Sequence, residues 1–350
     1  MAESAPLPRP PVPLRARTAL QVPATLSPIS RRTYGALDLG TNNCRLLIAR
    51  PAAHGFVIVD AFSRIVRLGE GLAATGRLSE EAMDRAVAAL RVCADKLRRR
   101  HVHLARSVAT EACRRAENGA EFVERVRQET GIALDIITAE EEARLAVMGC
   151  HVLLEEGDGP ALIFDIGGGS TELVLVDTAG SLPRTIDWYS APWGVVSLTE
   201  VEPADMASAE GRQAAYARMR ARVSDSFAAF AARLPLAARG PLRLLGTSGT
   251  VTTLASVHLQ LPAYDRSAVD GVIVPAAAMR RVSAMLAGMA MEERIKLPCI
   301  GQERADLVVA GCAILESILD IFPAERLGVA DRGIREGILR TLIARDGEGR

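Results

Sequence analysis

Short apolar runs separated by polar turns dominate residues 34–62: YGALDLG (34–40), CRLLIAR (44–50) and FVIVDAF (56–62), joined by TNN and PAAHG. Runs of this length, bounded by turn formers, predict three strands, the first closing on Asp38. The period then changes. In 78–100, Met83, Val87, Leu90 and Leu97 recur at helical spacing. Ser79 is placed to cap that helix, acids fill its first turn, and its basic end suits a helix C-terminus. Strands are expected again at 104–110 and 134–138, with helices over 121–131, ended by Gly131, and over 139–157.

The same design restarts at residue 160. PALIFDIGG (160–168) is a strand with Asp165 near its end, and STELVLVDTAG (170–180) is a strand running into a turn. Both halves read strand, aspartate, apolar residue, glycine, small polar turn, strand. A helix is expected within 205–234, a strand and turn in LRLLGTSGTVTTLASV (242–257), and a long helix over 303–322. A short strand and a helix at 333–345 close the chain. The pattern predicts two α/β domains of related design, 34–155 and 156–332, with the last helix packing back on the first domain.

Composition changes this picture little. The chain has 350 residues, 49% apolar and 24% charged, enough for two buried cores. Formal net charge is zero, which gives no argument for a nucleic-acid or membrane surface. Only Lys96 and Lys296 are lysines, so the 42 positive charges are nearly all arginine, the residue whose fork matches phosphate oxygens. Six cysteines lack metal spacing and read as buried thiols of a cytoplasmic protein. Residues 1–33 differ in kind, with seven of the 18 prolines, five arginines and one acid, and read as a disordered tail.

The candidate chemistry lies in FDIGGGSTEL (164–173). A dinucleotide loop would need glycine where Glu172 stands and a helix after it, and a Walker loop would need a lysine. A plain tight hairpin would explain one or two glycines, not Gly167, Gly168 and Gly169 beside an aspartate with a second copy at 38–43. A phosphate-binding hairpin remains. Its backbone N–H groups reach phosphate oxygens, Ser170 and Thr171 add hydroxyls, and Asp165 and Glu172 are oxygen ligands suited to Mg²⁺. Two such hairpins would clamp a polyphosphate between domains.

With a later GTSGT turn, these hairpins resemble the duplicated actin-like, ribonuclease H-like α/β fold shared by sugar kinases, actin and heat-shock chaperones, with an interdomain active-site cleft. Six motifs narrow the resemblance: ATEACRRAENG (109–119), AEEEARL (139–145), DIGGGSTELV (165–174), LGTSGTVTTLA (245–255), LPCIGQERADLVVAG (297–311) and DRGIREGIL (331–339). Together, from Tyr34 to Leu342, they resemble the exopolyphosphatase / guanosine pentaphosphate phosphatase family. The resemblance implies Mg²⁺-dependent hydrolysis of the terminal phosphoanhydride of polyphosphate or guanosine pentaphosphate, by a homodimer.

It also implies site residues. Glu142 is the base, with Glu141 the alternative, although three acids at 140–142 equally suit a helix N-terminus. Arg114 binds the terminal phosphate. Asp38 reaches the metal through water, and Thr41, Asn42 and Asn43 belong to phosphate, while Arg45 stays open. Asn118 is a phosphate or positioning donor, or simply part of an Asn-Gly turn. Gly246, Ser248, Gly249 and Thr250 hold the far end of the substrate, or only connect strand to helix. Two departures stand out: no histidine follows His258, so a C-terminal metal phosphohydrolase domain is not expected, and Ser197 replaces a frequent basic residue. A small-molecule kinase and a non-hydrolytic alarmone sensor are the competing readings.

Overall fold

A computed structural model describes residues 32–348 except 54, 181, 203–207, 236, 237 and 239–241. The expected tail therefore lies outside the described residues, except for Arg32 and Thr33. Arg32 pairs with Asp346 at 2.7 Å, and the Tyr34 hydroxyl donates to the same carboxylate at 2.6 Å, which ties the start of the first strand to the last helix.

The first sheet is built on β1 (Tyr34–Leu39), β2 (Asn43–Ala52) and β3 (Gly55–Ile65), an antiparallel meander. On the other side of β1, β4 (Leu104–Ala109) and β5 (Leu134–Ile136) run parallel to it, giving the order 3-2-1-4-5. The second sheet repeats this plan. Strands β6 (Ala161–Ile166), β7 (Thr171–Asp177) and β8 (Arg184–Ala191) form the meander, and β9 (Arg243–Thr247) lies parallel to β6. A short β10 (Ile273–Pro275) precedes β11 (Arg326–Ala330), which continues the parallel side next to β9 while β10 caps the edge antiparallel. The duplication legible at the two aspartates thus extends to whole sheets. Strand β8, the counterpart of β3, was not anticipated from sequence.

Helices cover both faces of each sheet. In the first half these are α1 (Leu72–Thr75), α2 (Glu80–Arg99), α3 (Glu111–Arg115), α4 (Gly119–Thr130) and α5 (Ala139–Cys150). Ser79 caps α2 by accepting from the Ala82 N–H, and Gly131 ends α4 in the left-handed conformation. The expected helix to 157 stops at Cys150, after which one 3₁₀ turn leads toward β6. In the second half come α6 (Val195–Val201), α7 (Ala209–Arg233), α8 (Gly249–His258), α9 (Arg266–Val269), α10 (Ala276–Gly288), α11 (Met291–Ile295), α12 (Val308–Ile321) and α13 (Ile334–Glu348). Helix α12 starts five residues later than expected, because 303–307 form turns.

Helices α5 and α13 lie between the two sheets and decide where the site falls. Leu145 of α5 packs with Ile338 and Leu339 of α13 under Tyr34, Leu47 and Val108 of the first sheet. The opposite face of α5, Ala143, Val147 and Cys150, packs on Ile163, Val174 and Leu245 of the second. The two helices cross at backbone contact. A Cβ on Gly337 would sit 2.1 Å from the Leu145 carbonyl oxygen, and one on Gly149 would sit 1.9 Å from that of Gly333.

Candidate active site

Both aspartate hairpins are closed in the same way. The Gly40 N–H donates to the Asn43 carbonyl and the Gly167 N–H to the Ser170 carbonyl, each at 2.9 Å. The hairpin tips meet across the interdomain cleft. A Cβ on Gly168 would lie 3.0 Å from the Asn42 nitrogen, and one on Gly169 would lie 2.7 Å from Thr41 Oγ1, so glycine is what lets the jaws approach. Between them lies a cavity of about 150 Å³. It is lined by Asp38, Thr41, Asn42, Asn43 and Arg45 of the first hairpin and by Asp165, Gly167, Gly168, Gly169, Ser170 and Glu172 of the second. Among the described residues the N–H groups of Thr41, Asn42, Gly168 and Gly169 have no protein acceptor, which leaves them for oxygens of a ligand.

Four carboxylates share this space. Burial pushes the Asp165 carboxyl up to about 6, with the Asp38 charge adding to the effect and Arg45 opposing it. Glu172 rises to about 7, first through burial, then through Asp165, against the Ser170 and Ser190 hydroxyls that each donate to its Oε1 at 2.8 Å. Asp38 is also raised by burial, against Arg45 and Arg335. Glu142 stands well above the ordinary carboxylate range because of burial and the Glu172 charge, and Arg114 only partly offsets them.

Helix α5 sets the two candidate bases apart. Thr138 caps it by accepting from the Glu141 N–H at 3.2 Å, worth about 1 kcal/mol to such a helix. One residue further on, Glu142 is buried and lines the cavity. Glu141 points elsewhere, held by Arg144 and Arg106 at 2.7 Å each, which lower its carboxyl to about 2, Arg144 first. Arg114 does not line the cavity. Its Nη1 donates to Glu142 Oε2 at 3.0 Å and to the Ile137 carbonyl at 2.7 Å, while Nε and Nη2 both go to Glu111 Oε2. These contacts hold Glu142 in place.

The third turn belongs to the same cavity. Ser248, Gly249 and Thr250 line it, at the N-terminus of α8, an end that suits an anion. Ser248 has φ 99, a conformation that strains a residue with a side chain. Thr247 Oγ1 donates to the Arg332 carbonyl at 2.6 Å and joins this turn to the loop before α13.

Several expected residues take other roles. Asn118 is buried outside the cavity, with its amide engaged by the backbone of Leu78, accepting from N–H at 2.9 Å and donating to C=O at 3.0 Å. It staples α4 to the start of α2 and is no phosphate donor. Gly246 sits within β9, where a Cβ would meet the Phe164 ring at 2.6 Å, so its need for glycine is packing and not phosphate. The Ser170 hydroxyl is spent on Glu172, and that of Thr171 on the Trp193 carbonyl at 2.7 Å. Ser197 donates to the Gly169 carbonyl at 3.1 Å and so supports the second hairpin tip from behind.

Other cavity residues were not assigned from sequence. Glu111, Arg304 and Arg335 all line the cavity, and Arg45, left open, does too. Arg45 and Arg335 make no hydrogen bond or ion pair among the described residues, although Arg304 donates to Thr253 Oγ1 at 3.0 Å. The signal was present in the QERAD and DRGIREG motifs, quoted for resemblance without a role.

The donor set suits Mg²⁺. Asp38 Oδ1, Asn42 Oδ1 and Ser248 Oγ are buried without a hydrogen-bond partner, and the raised carboxyl groups would be stabilised as anions by a cation. Among the described residues no three acidic, histidine or cysteine side chains converge to hold an ion unaided. A Mg²⁺ ion held here would take one or two of these carboxylates and complete its shell with water and substrate phosphate.

Duplicated sheets, a glycine hairpin at the same place in each, and an acid-lined cavity between them define an actin-like phosphate-handling protein. The Ppx/GppA phosphatase family model matches residues 47–345, and the chain belongs to that family. Exopolyphosphatase 2 of Mycobacterium tuberculosis is 33% identical over 328 residues, covering 88% of this chain and 97% of that protein. A crystal structure of the Aquifex aeolicus Ppx/GppA family member superposes with TM-score 0.72 at 29% identity, covering 90% of this chain and 98% of the other. An exopolyphosphatase-like protein superposes with TM-score 0.80, also at 29% identity, covering 89% and 99%.

Proposed function

We propose that this chain hydrolyses the terminal phosphoanhydride of inorganic polyphosphate, with Mg²⁺, and releases orthophosphate. The observation that carries the reading is Glu142: a buried carboxylate of raised basicity, fixed by Arg114, at the wall of a cavity whose jaws offer unpaired N–H groups. A raised carboxyl is a better proton acceptor at neutral pH than a free one. Terminal phosphate oxygens take the N–H groups of Thr41, Asn42, Gly168 and Gly169 and the start of α8. Glu142 then accepts a proton from a water placed in line with the terminal phosphorus. The new P–O bond forms from that water as the bridging P–O bond breaks, and the shortened chain keeps the bridging oxygen. Asp165 and Glu172 would hold Mg²⁺, with Asp38 reaching it through water, and the bound ion would neutralise charge on the phosphate oxygens.

Arg45, Arg304 and Arg335 supply positive charge for a chain of phosphates, and the name of the Mycobacterium tuberculosis relative points the same way. Among the described residues no aromatic ring lines the cavity on which a guanine base would stack, which favours inorganic polyphosphate over guanosine pentaphosphate. The test is orthophosphate release from polyphosphates of defined length and from guanosine pentaphosphate, with and without Mg²⁺. Release from polyphosphate that requires the metal is expected. Phosphate transfer only from ATP to a sugar acceptor would overturn the reading in favour of a kinase, and tight guanosine pentaphosphate binding without turnover in favour of a sensor.

A further inference from the structure

The charge on Arg114 is shared between two acids, and only one of them is the base. Glu111, the first residue of α3, takes the Nε and Nη2 edge of the guanidinium on a single oxygen, Nε at 3.1 Å. The Nη1 corner is thereby aimed at Glu142 and the Ile137 carbonyl. A guanidinium is a rigid planar fork, so fixing one edge fixes the direction of the other. Glu111 also touches the opposite domain. A Cβ on Gly169 would lie 2.9 Å from Glu111 Cγ and 3.2 Å from its Cβ, so the tip of the second hairpin rests on the stem of this side chain.

We propose that Glu111 is a positioning residue that ties the tip of the second hairpin to alignment of the base, through Arg114. The inference rests on the polyphosphatase reading above for its chemistry, but not for its geometry. With the hairpin seated on it, Glu111 is held against Arg114 and Glu142 faces the in-line water. Without the Glu111 carboxylate, the freed N–H groups of Arg114 turn toward the nearest anion, an incoming phosphate included, and Glu142 loses its anchor.

The full-length protein with Glu111→Ala and with Glu111→Gln tests this by steady-state orthophosphate release from polyphosphate with Mg²⁺. Glu111→Ala is expected to lower kcat by up to about 100-fold, the scale of a misplaced reacting group, while KM stays within about twofold of wild type. Glu111→Gln keeps an oxygen that accepts both Arg114 bonds and is expected to retain most of kcat. Wild-type kcat in Glu111→Ala, a rise in KM alone, or a glutamine variant as slow as the alanine one would each overturn the proposal. A crystal structure of Glu111→Ala reads the geometry without turnover: Arg114 Nη1 should leave Glu142, and an unmoved Arg114 would overturn the proposal. Wild-type protein that releases no orthophosphate would sink the functional reading instead, and the crystal structure would then decide for Glu111.

Discussion

At the scale of single residues, the cavity is organised around charge that folding alone would not assemble. Glu142 and Glu172 are buried and Asp38 and Asp165 partly so, and each carboxyl is raised first by loss of solvent, with neighbouring acids adding to it. A raised folded-state pKa means that the ionised group opposes folding at neutral pH. Each tenfold change in proton affinity corresponds to about 1.4 kcal/mol, and for a domain of this size each kcal/mol moves Tm by about 2–4 °C. Asp165→Asn should therefore melt several degrees higher than wild type in chelator at pH 7, by differential scanning calorimetry. Adding Mg²⁺ should raise the wild-type Tm and leave the variant nearly unmoved. A variant less stable than wild type in chelator would contradict this account of the site.

At the scale of elements, α5 carries Glu142 and its position depends on the crossing with α13. Alanine at 337 would gain about 1 kcal/mol of helix propensity. Its Cβ would stand 2.1 Å from the Leu145 carbonyl oxygen, an overlap of two backbones that no rotamer relieves. Gly337→Ala should therefore unfold at lower urea and lose activity beyond its loss of stability, and wild-type stability would contradict the crossing. A second tie joins β3 to the end of α2. Hydrogen bonds from Lys96 and then Arg100 lower the Asp60 carboxyl to about 2. Because the folded value lies below the unfolded value of about 4, this contribution is present above pH 4 and is lost as pH falls toward 2. Asp60→Asn should flatten the acid limb of Tm against pH, and an unchanged slope would contradict the tie.

The elements also show what a linear reading can see. The two aspartate hairpins were legible because aspartate, turn glycine and following strand lie within ten residues and their constraint is local. Ser79 and Gly131 mark helix ends for the same reason. Strand β8, RTIDWYSA, was missed: it is an edge strand with one buried residue, Ala191, so it lacks a strong apolar run. Arg304 projects from turns at 303–307 that the sequence had absorbed into a helix, and its place in the cavity depends on that break. Asn118 and Gly246 are the opposite case. Each was rightly read as locally special, but the reason is a backbone staple in one and contact with Phe164 in the other.

At the scale of the whole molecule, neither half contains a complete site. The first domain supplies Asp38, the amides of Thr41 and Asn42, Glu111 and Arg114, the second supplies Asp165, Glu172 and the glycine tip, and α5 brings Glu142 between them. The two halves also touch away from the site. Besides the hairpin contacts, Arg67 pairs with Asp306 at 2.8 Å, and the Gly71 N–H donates to Glu200 Oε1 at 2.7 Å, across the cleft. The Arg67 and Asp306 side chains are 35% and 27% exposed, so this pair contributes under about 1 kcal/mol. The central claim is that this cavity binds polyphosphate through its backbone jaws and turns it over through Glu142. The most direct test pairs orthophosphate release with calorimetric polyphosphate binding, in Mg²⁺, for wild type and Glu142→Gln. Release should fall by about 100-fold or more, the contribution of a positioned base, while the dissociation constant stays within a few-fold. Full release by Glu142→Gln, or loss of binding in step with loss of release, would contradict it.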